Sequence, residues 1–354
     1  MPSKKQDTSY FSKTLLKWYN ANKRDLPWRN TKDPYLIWLS EIILQQTRVD
    51  QGMPYYLAFA KSFPDVKSLA KADENKVLKL WQGLGYYSRA RNLHTTAKQV
   101  TEIYKGKFPA DYNELLKLKG VGAYTAAAIA SLAFELPHAV VDGNVYRLLS
   151  RYFGIKDAID SNEGKKKFSK LANQLIDNKN PGTYNQAVME FGSIQCKPVN
   201  PDCMVCPLQN SCYAFAEKQI EHLPVKAKKT AVRARHFNYL VIHYKNTVYL
   251  NHRTEKDIWK GLYDFPLIET KDKATETEIL SSAELKTIVE KNKFYVSSVS
   301  KFYKHILSHQ HLHARFMEIE INKPLKNKNL IKANLKELGN FALPRLVERY
   351  INER

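Results

Sequence analysis

The sequence predicts two domains, a mainly α-helical domain followed by a smaller α+β domain. Its 354 residues are enough for two hydrophobic cores. Up to about residue 217, apolar residues recur at three- and four-residue spacing, which is typical of amphipathic helices. Beyond residue 236, β-branched and aromatic residues partly alternate with polar ones, which is typical of strands.

Capping residues mark helix boundaries in the first domain, which we expect over residues 8–217. Asp111 and Glu114 form a capping pair, and Asn180 followed by Pro181 indicates a helix start. Residues 218–235 are the expected linker, because their second part is basic and has no hydrophobic period. The α+β domain then covers residues 236–354, with strands predicted at 238–243, 248–252, 295–300 and 312–321.

The charge of the chain favours a polyanionic partner. The formal net charge is +21, and both halves of the chain are basic. Nucleic acid is the first candidate and an anionic membrane surface the second. No signal peptide is apparent, and the longest apolar tract, residues 123–134, is shorter than the roughly 20 residues of a membrane span. We therefore expect a cytoplasmic protein whose partner is nucleic acid and not a membrane, and we also predict that it is a monomer.

All four cysteines of the chain fall between residues 196 and 212, with the spacing C-x6-C-x2-C-x5-C. So tight a group of thiols predicts a metal site, since an intracellular chain of this length does not resemble a disulfide framework. Only Cys203 and Cys206 have the close spacing usual for structural zinc. The spacing favours an iron-sulfur cluster but leaves zinc open.

A glycine-rich turn separates two predicted helices in residues 118–126, LKGVGAYTA. Gly120 and Gly122 allow the backbone to approach an anion closely, and the amides of the next helix point the same way. The turn is therefore a candidate phosphate-binding site. A tight turn between two helices would explain the same residues.

Several motifs together resemble a known family. They are the glycine turn, VDGNV at 141–145, the cysteine block, SEIILQQT at 40–47, GLGYYSR at 83–89 and PWR at 27–29. The combination resembles the helix-hairpin-helix DNA glycosylases of the endonuclease III superfamily, and within it the MutY-type adenine glycosylases. The resemblance implies a helix-hairpin-helix domain with an iron-sulfur loop at 196–212 and a [4Fe-4S] cluster on Cys196, Cys203, Cys206 and Cys212. It also implies base-excision repair, with removal of adenine opposite 8-oxoguanine or guanine in double-stranded DNA.

Two carboxyl groups fit the chemistry that breaks an N-glycosidic bond. Such a site needs a protonated acid for the leaving base and a carboxylate facing the sugar. Glu41 lies among apolar residues of a predicted helix, where burial would raise its pKa. Asp142 precedes a predicted helix, whose amides would keep it ionised. The alternatives are an ion pair of Glu41 with an arginine and a simple capping role for Asp142.

The remaining site residues are assigned largely by the resemblance. Tyr124 stands where strand-cutting relatives have a Schiff-base lysine, so we expect a monofunctional glycosylase in which Tyr124 and Asn144 support Asp142. A flipped base requires its place in the duplex to be filled, for which Gln46 and Tyr86 are candidates. Arg29 and Gln186 are expected in the base pocket, and the expected DNA contacts are Gln46, Thr47, Leu84, Tyr86, Gly120, Gly122, Ser308 and His309.

The second domain resembles the Nudix-like domain of MutY-type proteins, from WKGLYDFP at 259–266. Residues 274–290 lack the glutamate-dense run that gathers magnesium in Nudix hydrolases, so we expect no hydrolase activity. The family reads 8-oxoguanine with a Phe-Ser-His loop, which here is Leu307, Ser308 and His309. Metal binding by clustered histidines is an alternative for His305, His309, His311 and His313.

Two other functions compete with adenine excision. One is a bifunctional, endonuclease III-like glycosylase and lyase, against which Tyr124 argues. The other is a non-enzymatic DNA-binding redox sensor, in which Glu41 and Asp142 would be structural.

Overall fold

The computed structural model describes residues 7–227, 231–290 and 292–354. They form two compact units. The first unit comprises residues 7–71 and 92–227, and the second comprises residues 72–91, 231–290 and 292–354. The first is helical and the second contains a mixed sheet with helices. This confirms the predicted fold class.

Helices account for the regular structure as far as residue 216. They are α1 (Thr8–Asn22), α2 (Pro34–Leu44), α3 (Val49–Ser62), α4 (Val66–Lys71), α5 (Glu74–Leu80), α6 (Ser88–Ile103), α7 (Tyr112–Leu116), α8 (Ala123–Phe134), α9 (Gly143–Phe153), α10 (Asn162–Leu175), α11 (Pro181–Glu190) and α12 (Tyr213–Ala216). A 3-10 turn at Pro27–Arg29 precedes α2, and a π-helical turn at Phe191–Gln195 extends α11.

The predicted capping residues begin their helices. The Asp111 side chain accepts a hydrogen bond from the amide of Glu114 at the start of α7, and Pro181 is the first residue of α11. Pro34 begins α2 in the same way, with Asp33 as its cap. A proline costs nothing at the first helical position, because its missing N–H would have no partner within the helix.

Helix α8 lies at the centre of the first unit. It is the alanine-rich tract at 123–134, and its residues from Thr125 to Leu132 are buried. Small side chains let helices approach closely, so α8 packs against α2, α7 and α11. This packing brings the carboxyl end of α2, the start of α9 and one face of α11 around a common cavity.

The second unit is built on an eight-stranded mixed sheet. Its strands are β1 (Arg233–Tyr244), β2 (Thr247–His252), β3 (Tyr263–Asp264), β4 (Leu267–Thr270), β5 (Phe294–Val299), β6 (Tyr303–Leu307), β7 (Gln310–Ile321) and β8 (Leu330–Asn334). Helices α13 (Glu276–Ser281), α14 (Ala283–Ile288) and α15 (Arg345–Glu353) complete the unit.

Strands β1 and β7 form the parallel centre of this sheet, in register from Arg233 opposite Gln310 to His243 opposite Glu320. All other pairings are antiparallel: β2 and β4 pair with β1, β5 and β6 with β7, and β3 and β8 with β2. Strand β1 is buried without alternation over most of its second half. Continuous burial means that both faces of the sheet are covered there.

The domain boundaries differ from the prediction. Strand β1 starts at Arg233, inside the predicted linker at 218–235. Residues 218–227 belong to the first unit, where Leu223 accepts a hydrogen bond from Arg151 and the amide of Ala227 donates to Asp160. Residues 228–230 of that linker lie outside the described residues. The segment 72–91 groups with the second unit although it lies within the predicted helical domain.

No helix in the described part of the chain has both the length and the apolar character needed to cross a bilayer. This agrees with the short apolar tracts of the sequence.

We expect Gly164→Ala to lower the free energy of unfolding by roughly 1 to 3 kcal/mol, since inserting atoms into a packed site forces the backbone to shift. A Cβ at Gly164 would lie 2.0 Å from the carbonyl oxygen of Ala158. Gly143→Ala is the matched control, because nothing lies within 4 Å of its Cβ position. Denaturant unfolding of the full chain, followed by far-UV circular dichroism, compares the two. Equal stability of both variants and the unmodified chain would contradict this packing.

Candidate active site

A cavity of about 420 Å³ in the first unit contains most of the residues predicted to carry the chemistry. Its volume lies in the range of roughly 300 to 1,000 Å³ usual for small-ligand sites. The end of α2, the start of α8, the start of α9 and one side of α11 form its walls. The predicted residues that line it are Arg29, Glu41, Thr47, Tyr124, Asp142, Asn144 and Gln186.

Glu41 is held in an apolar part of this cavity by helix α2. Its side chain is only 9% exposed, and the hydroxyl of Tyr124 donates a hydrogen bond of 2.7 Å to its Oε2. Burial raises the pKa of Glu41 to about 7, and the charge of Asp142 adds to the rise, while the Tyr124 hydrogen bond opposes it. The predicted rise is therefore present, and Tyr124, rather than an arginine, is the hydrogen-bond partner. The prediction that Tyr124 supports Asp142 is wrong in this respect, because its hydroxyl donates to Glu41.

Asp142 caps the start of α9. Its Oδ1 accepts a 2.8 Å hydrogen bond from the amide of Val145, and its Oδ2 accepts one of 2.9 Å from the side chain of Asn144. Burial nevertheless raises the pKa of Asp142 above its ordinary value, against these hydrogen bonds. The helix-end amides are in place as predicted, but they do not lower the pKa below that of a free carboxyl group.

The two carboxyl groups are solvated unequally by the protein. Asp142 accepts hydrogen bonds from two backbone amides and an amide side chain, whereas Glu41 accepts one from a neutral phenol. Hydrogen bonds to the charged form favour ionisation. When one proton is shared between them, Glu41 is the better place for it and Asp142 the better anion.

Glu190 pairs with two arginines that line the cavity, a role that the sequence did not reveal. Its carboxylate is 1% exposed and pairs with Arg29 at 2.8 Å and with Arg24 at 2.5 Å. Burial alone would raise the pKa of Glu190, but the hydrogen bonds from the two arginines lower it to about 2. Arg29 thus lines the cavity with its guanidinium already held in place.

Gln186 and Met189 complete the wall formed by α11. The Gln186 Oε1 accepts a 2.5 Å hydrogen bond from the hydroxyl of Tyr19. The sulfur of Met189 lies 3.2 Å from the Tyr124 hydroxyl. Gln186 was predicted here, whereas Met189 and Tyr19 were not, because a methionine or tyrosine at helical spacing does not differ from a core residue in sequence.

The four cysteines line one small cavity beside the core of the first unit. They are free thiols, and burial raises the pKa of Cys206 to about 12. In residues 7–227, 231–290 and 292–354, no three histidine, cysteine or acidic side chains converge on a single ion. The clustered histidines therefore form no such site. Four free thiols at one cavity form a donor set that fits a metal centre, since thiolates bind both iron-sulfur clusters and zinc.

Two buried arginines of α9 connect this loop to the catalytic cavity. Arg147 donates to the side chain of Asn144 at 2.8 Å and to the carbonyl of Cys196 at 2.7 Å. Arg151 donates to the carbonyl of Lys197 at 2.7 Å and lies 3.6 Å from the sulfur of Cys196. Through Arg147 and Asn144, the position of Asp142 depends on the cysteine loop.

The predicted DNA contacts of the first unit lie at two exposed turns. Gln46 is exposed and has a left-handed backbone with φ of 55° immediately after α2. Gly120, with φ of 77°, precedes Gly122, which is exposed at the amino end of α8. A side chain at Gly120 would collide with Asn92, which gives this glycine a packing role that does not depend on the predicted anion binding.

Within the second unit, two of the predicted DNA contacts meet. The hydroxyl groups of Tyr86 and Ser308 are hydrogen-bonded to each other. Ser308 and His309 are exposed and form the two-residue turn between β6 and β7, since Leu307 pairs with Gln310. The side chain of Leu84 is only 6% exposed, so its predicted contact with DNA is not available to the side chain.

Comparison with known proteins identifies the family of this chain. The model described as HhH-GPD superfamily base excision DNA repair protein matches residues 39–174, and the NUDIX domain model matches residues 238–353. The adenine DNA glycosylase of Buchnera aphidicola subsp. Schizaphis graminum is 35% identical over 350 residues, covering 96% of this chain and 97% of that protein. The chain belongs to the adenine DNA glycosylase family.

Two further comparisons agree with the assignment of this chain to the adenine DNA glycosylase family. The adenine DNA glycosylase of Mus musculus is 42% identical over 222 residues, covering 60% of this chain and 43% of that protein. The structure of a thermostable thymine-DNA glycosylase matches with a TM-score of 0.56 and 32% identity, over 59% of this chain and 97% of that one. These similarities confirm the resemblance seen in the sequence.

The raised pKa of Glu41 makes the stability of this adenine DNA glycosylase family member depend on pH. The carboxyl group of Glu41 keeps its proton to a higher pH in the folded state than in the unfolded state. Its contribution to the free energy of unfolding is therefore complete below about pH 4.5 and is lost as pH rises through about 7. Relative to Glu41→Gln, we expect the unmodified protein to lose about 3 kcal/mol of stability across this range. Urea unfolding at several pH values measures the difference.

The matched control for this experiment is Glu163→Gln, an exposed acid in α10. Its stability should follow that of the unmodified protein at every pH. A constant difference between Glu41→Gln and the unmodified protein from pH 4.5 to 7 would show that Glu41 ionises normally in the folded state.

Proposed function

We propose that this protein is an adenine DNA glycosylase of base-excision repair. It hydrolyses the N-glycosidic bond of an adenine opposite 8-oxoguanine or guanine, after the nucleotide has been flipped out of the duplex. The observation that carries the proposal is one cavity with two carboxyl groups that are hydrogen-bonded unequally, so that Glu41 is the better site for a proton and Asp142 the better anion.

Glu41 acts as the general acid and Asp142 stabilises the sugar. Glu41 donates its proton to a ring nitrogen of adenine, so that the base leaves with the electrons of the broken bond. The deoxyribose develops positive charge, which the carboxylate of Asp142 balances or bonds to transiently. The ionised Glu41 then accepts a proton from the water that adds to the sugar, which restores the starting state.

Tyr124 and Asn144 support this pair without bonding to the substrate covalently. Tyr124 orients Glu41, and Asn144 orients Asp142. Among the described residues that line the cavity there is no lysine, and a Schiff-base lyase would require an amine there. The protein therefore leaves an abasic site in an unbroken strand.

The exposed turns and the net charge of +21 provide the binding surface for double-stranded DNA. The amides around Gly120 and Gly122 bind a backbone phosphate at the start of α8. Gln46 and Thr47 contact the duplex near the cavity mouth, and Tyr86 provides an exposed aromatic wedge. Arg29 and Gln186 hold the extruded adenine.

The turn at Ser308 and His309 reads the base opposite adenine. Both side chains are exposed, and each can donate a hydrogen bond to the added oxygen of 8-oxoguanine or accept one from its N7–H. Leu307 is half-buried in the pairing with β7, so it packs where the family has phenylalanine. The monomeric state stays a prediction.

The four cysteines hold a [4Fe-4S] cluster. Their donor set suits it, because four free thiols of one loop surround one cavity and a buried arginine lies beside Cys196. When bound, the cluster supplies four covalent ties that fix the loop. Arg147 and Arg151 then hold that loop against α9.

Glu41→Gln should lower the single-turnover rate of adenine release by at least about 100-fold, since it removes the general acid. The unmodified protein should lose activity as pH rises through about 7, where Glu41 loses its proton. The assay uses a duplex with adenine opposite 8-oxoguanine, and strand breaks should appear only after alkali. Asp142→Asn should lose most turnover and still bind DNA.

Glu163→Gln, outside the cavity, is the control and should retain full activity. Unchanged release by Glu41→Gln would remove the assignment of the acid. No adenine release by the unmodified protein would instead favour a DNA-binding role without catalysis.

Iron and sulfide analysis of the purified protein should give about four of each per chain. Cys206→Ala should lose most of the iron, because it removes one thiolate from a buried site. Met204→Ala, an exposed neighbour in the same loop, should keep it. Zinc in place of iron would contradict the cluster assignment.

A further inference from the structure

A second cavity of about 510 Å³ lies beside the catalytic cavity in the first unit. It is formed by the end of α1, the loop that follows it, and parts of α8 and α11. Four residues line both cavities, namely Arg24, Arg29, Leu132 and Gln186. The two spaces are therefore neighbours that share one wall.

The side chains of the shared wall differ in how firmly their contacts hold them. Arg24 and Arg29 are fixed by their pairing with Glu190. Gln186 is half-buried, and the hydrogen bond that its side-chain oxygen accepts from Tyr19 orients it. Side chains change rotamer on a timescale of picoseconds to nanoseconds where they are accessible, and no backbone has to move. Rotation of Gln186 would connect the two cavities.

The outer cavity opens to solvent and carries groups that suit a purine. Asn20, Asn30 and Thr183 line it and are exposed. Asparagine and glutamine amides match the donor and acceptor of the adenine N6 and N7 edge. Gln186, which belongs to both cavities, has the same amide chemistry. A base could keep comparable hydrogen bonds while it passes from one cavity to the other.

The reaction creates a need for such a route. Hydrolysis separates adenine from a sugar that stays in the DNA, and the sugar occupies the opening through which the nucleotide entered. A free base then leaves either after the DNA dissociates or through another opening. Resting on the proposed function, we propose that the outer cavity receives the free purine and releases it while the abasic DNA is still bound.

The wild-type protein tests the order of release directly. A duplex with radiolabelled adenine opposite 8-oxoguanine is cleaved in a single turnover, and rapid filtration retains the label that is bound to protein. Labelled base should reach the filtrate while a gel-shift assay still shows the abasic DNA bound. Base that stays with the protein until the DNA dissociates would overturn the proposal. Absence of cleavage would instead refute the proposed function.

Thr183 and Asn20 line the outer cavity but not the catalytic cavity, so a tryptophan in Thr183→Trp or Asn20→Trp occupies the outer cavity. Each should leave the cleavage rate, measured with alkali, close to that of wild type. Release of the base should slow by about tenfold or more, because a blocked exit makes product release limiting. Lys170→Trp, on an exposed position of α10, is the control. Release at the wild-type rate from both cavity variants would overturn the proposed exit.

Discussion

Burial of two carboxyl groups in one cavity is the constraint on which the rest of the first unit depends. Each carboxyl costs free energy to desolvate, and like charges cannot both be ionised at low cost so close together. The protein offsets this desolvation cost to different extents for the two groups. Asp142 receives the helix-start amides of α9, while Glu41 receives only the hydroxyl of Tyr124. This inequality separates a proton donor from an anion, and acid-assisted glycosidic cleavage requires that separation.

Buried polar groups near Glu41 and Asp142 are also ion-paired or hydrogen-bonded. Glu190 is buried but paired with both Arg24 and Arg29, so its negative charge does not stand alone in the cavity wall. Arg147 satisfies the side chain of Asn144 and the carbonyl of Cys196 together. The cysteine loop is thereby joined to Asp142 through two hydrogen-bonded side chains. A change in the position of this loop would therefore loosen the support of Asp142.

Much of the fold and part of the site could be predicted because their signals are local. Asp111 and Pro181 mark helix starts through the backbone groups next to them, and the cysteine spacing shows thiols that must lie close together. The raised pKa of Glu41 followed from the apolar residues of its own helix. Asp142 shows the limit of this reasoning, since its amides were foreseen but the depth of its burial was not.

The sequence by itself determined which residue types could carry the chemistry, the change from a helical unit to one that contains a sheet, and the family of the protein. Only the tertiary structure decided which side chains meet. Tyr124 reaches Glu41 across 83 positions, and Arg29 reaches Glu190 across 161. The grouping of residues 72–91 with the sheet was decided in the same way. Contacts so distant along the chain leave no periodic or spacing signal, because they depend on how helices pack rather than on where helices begin.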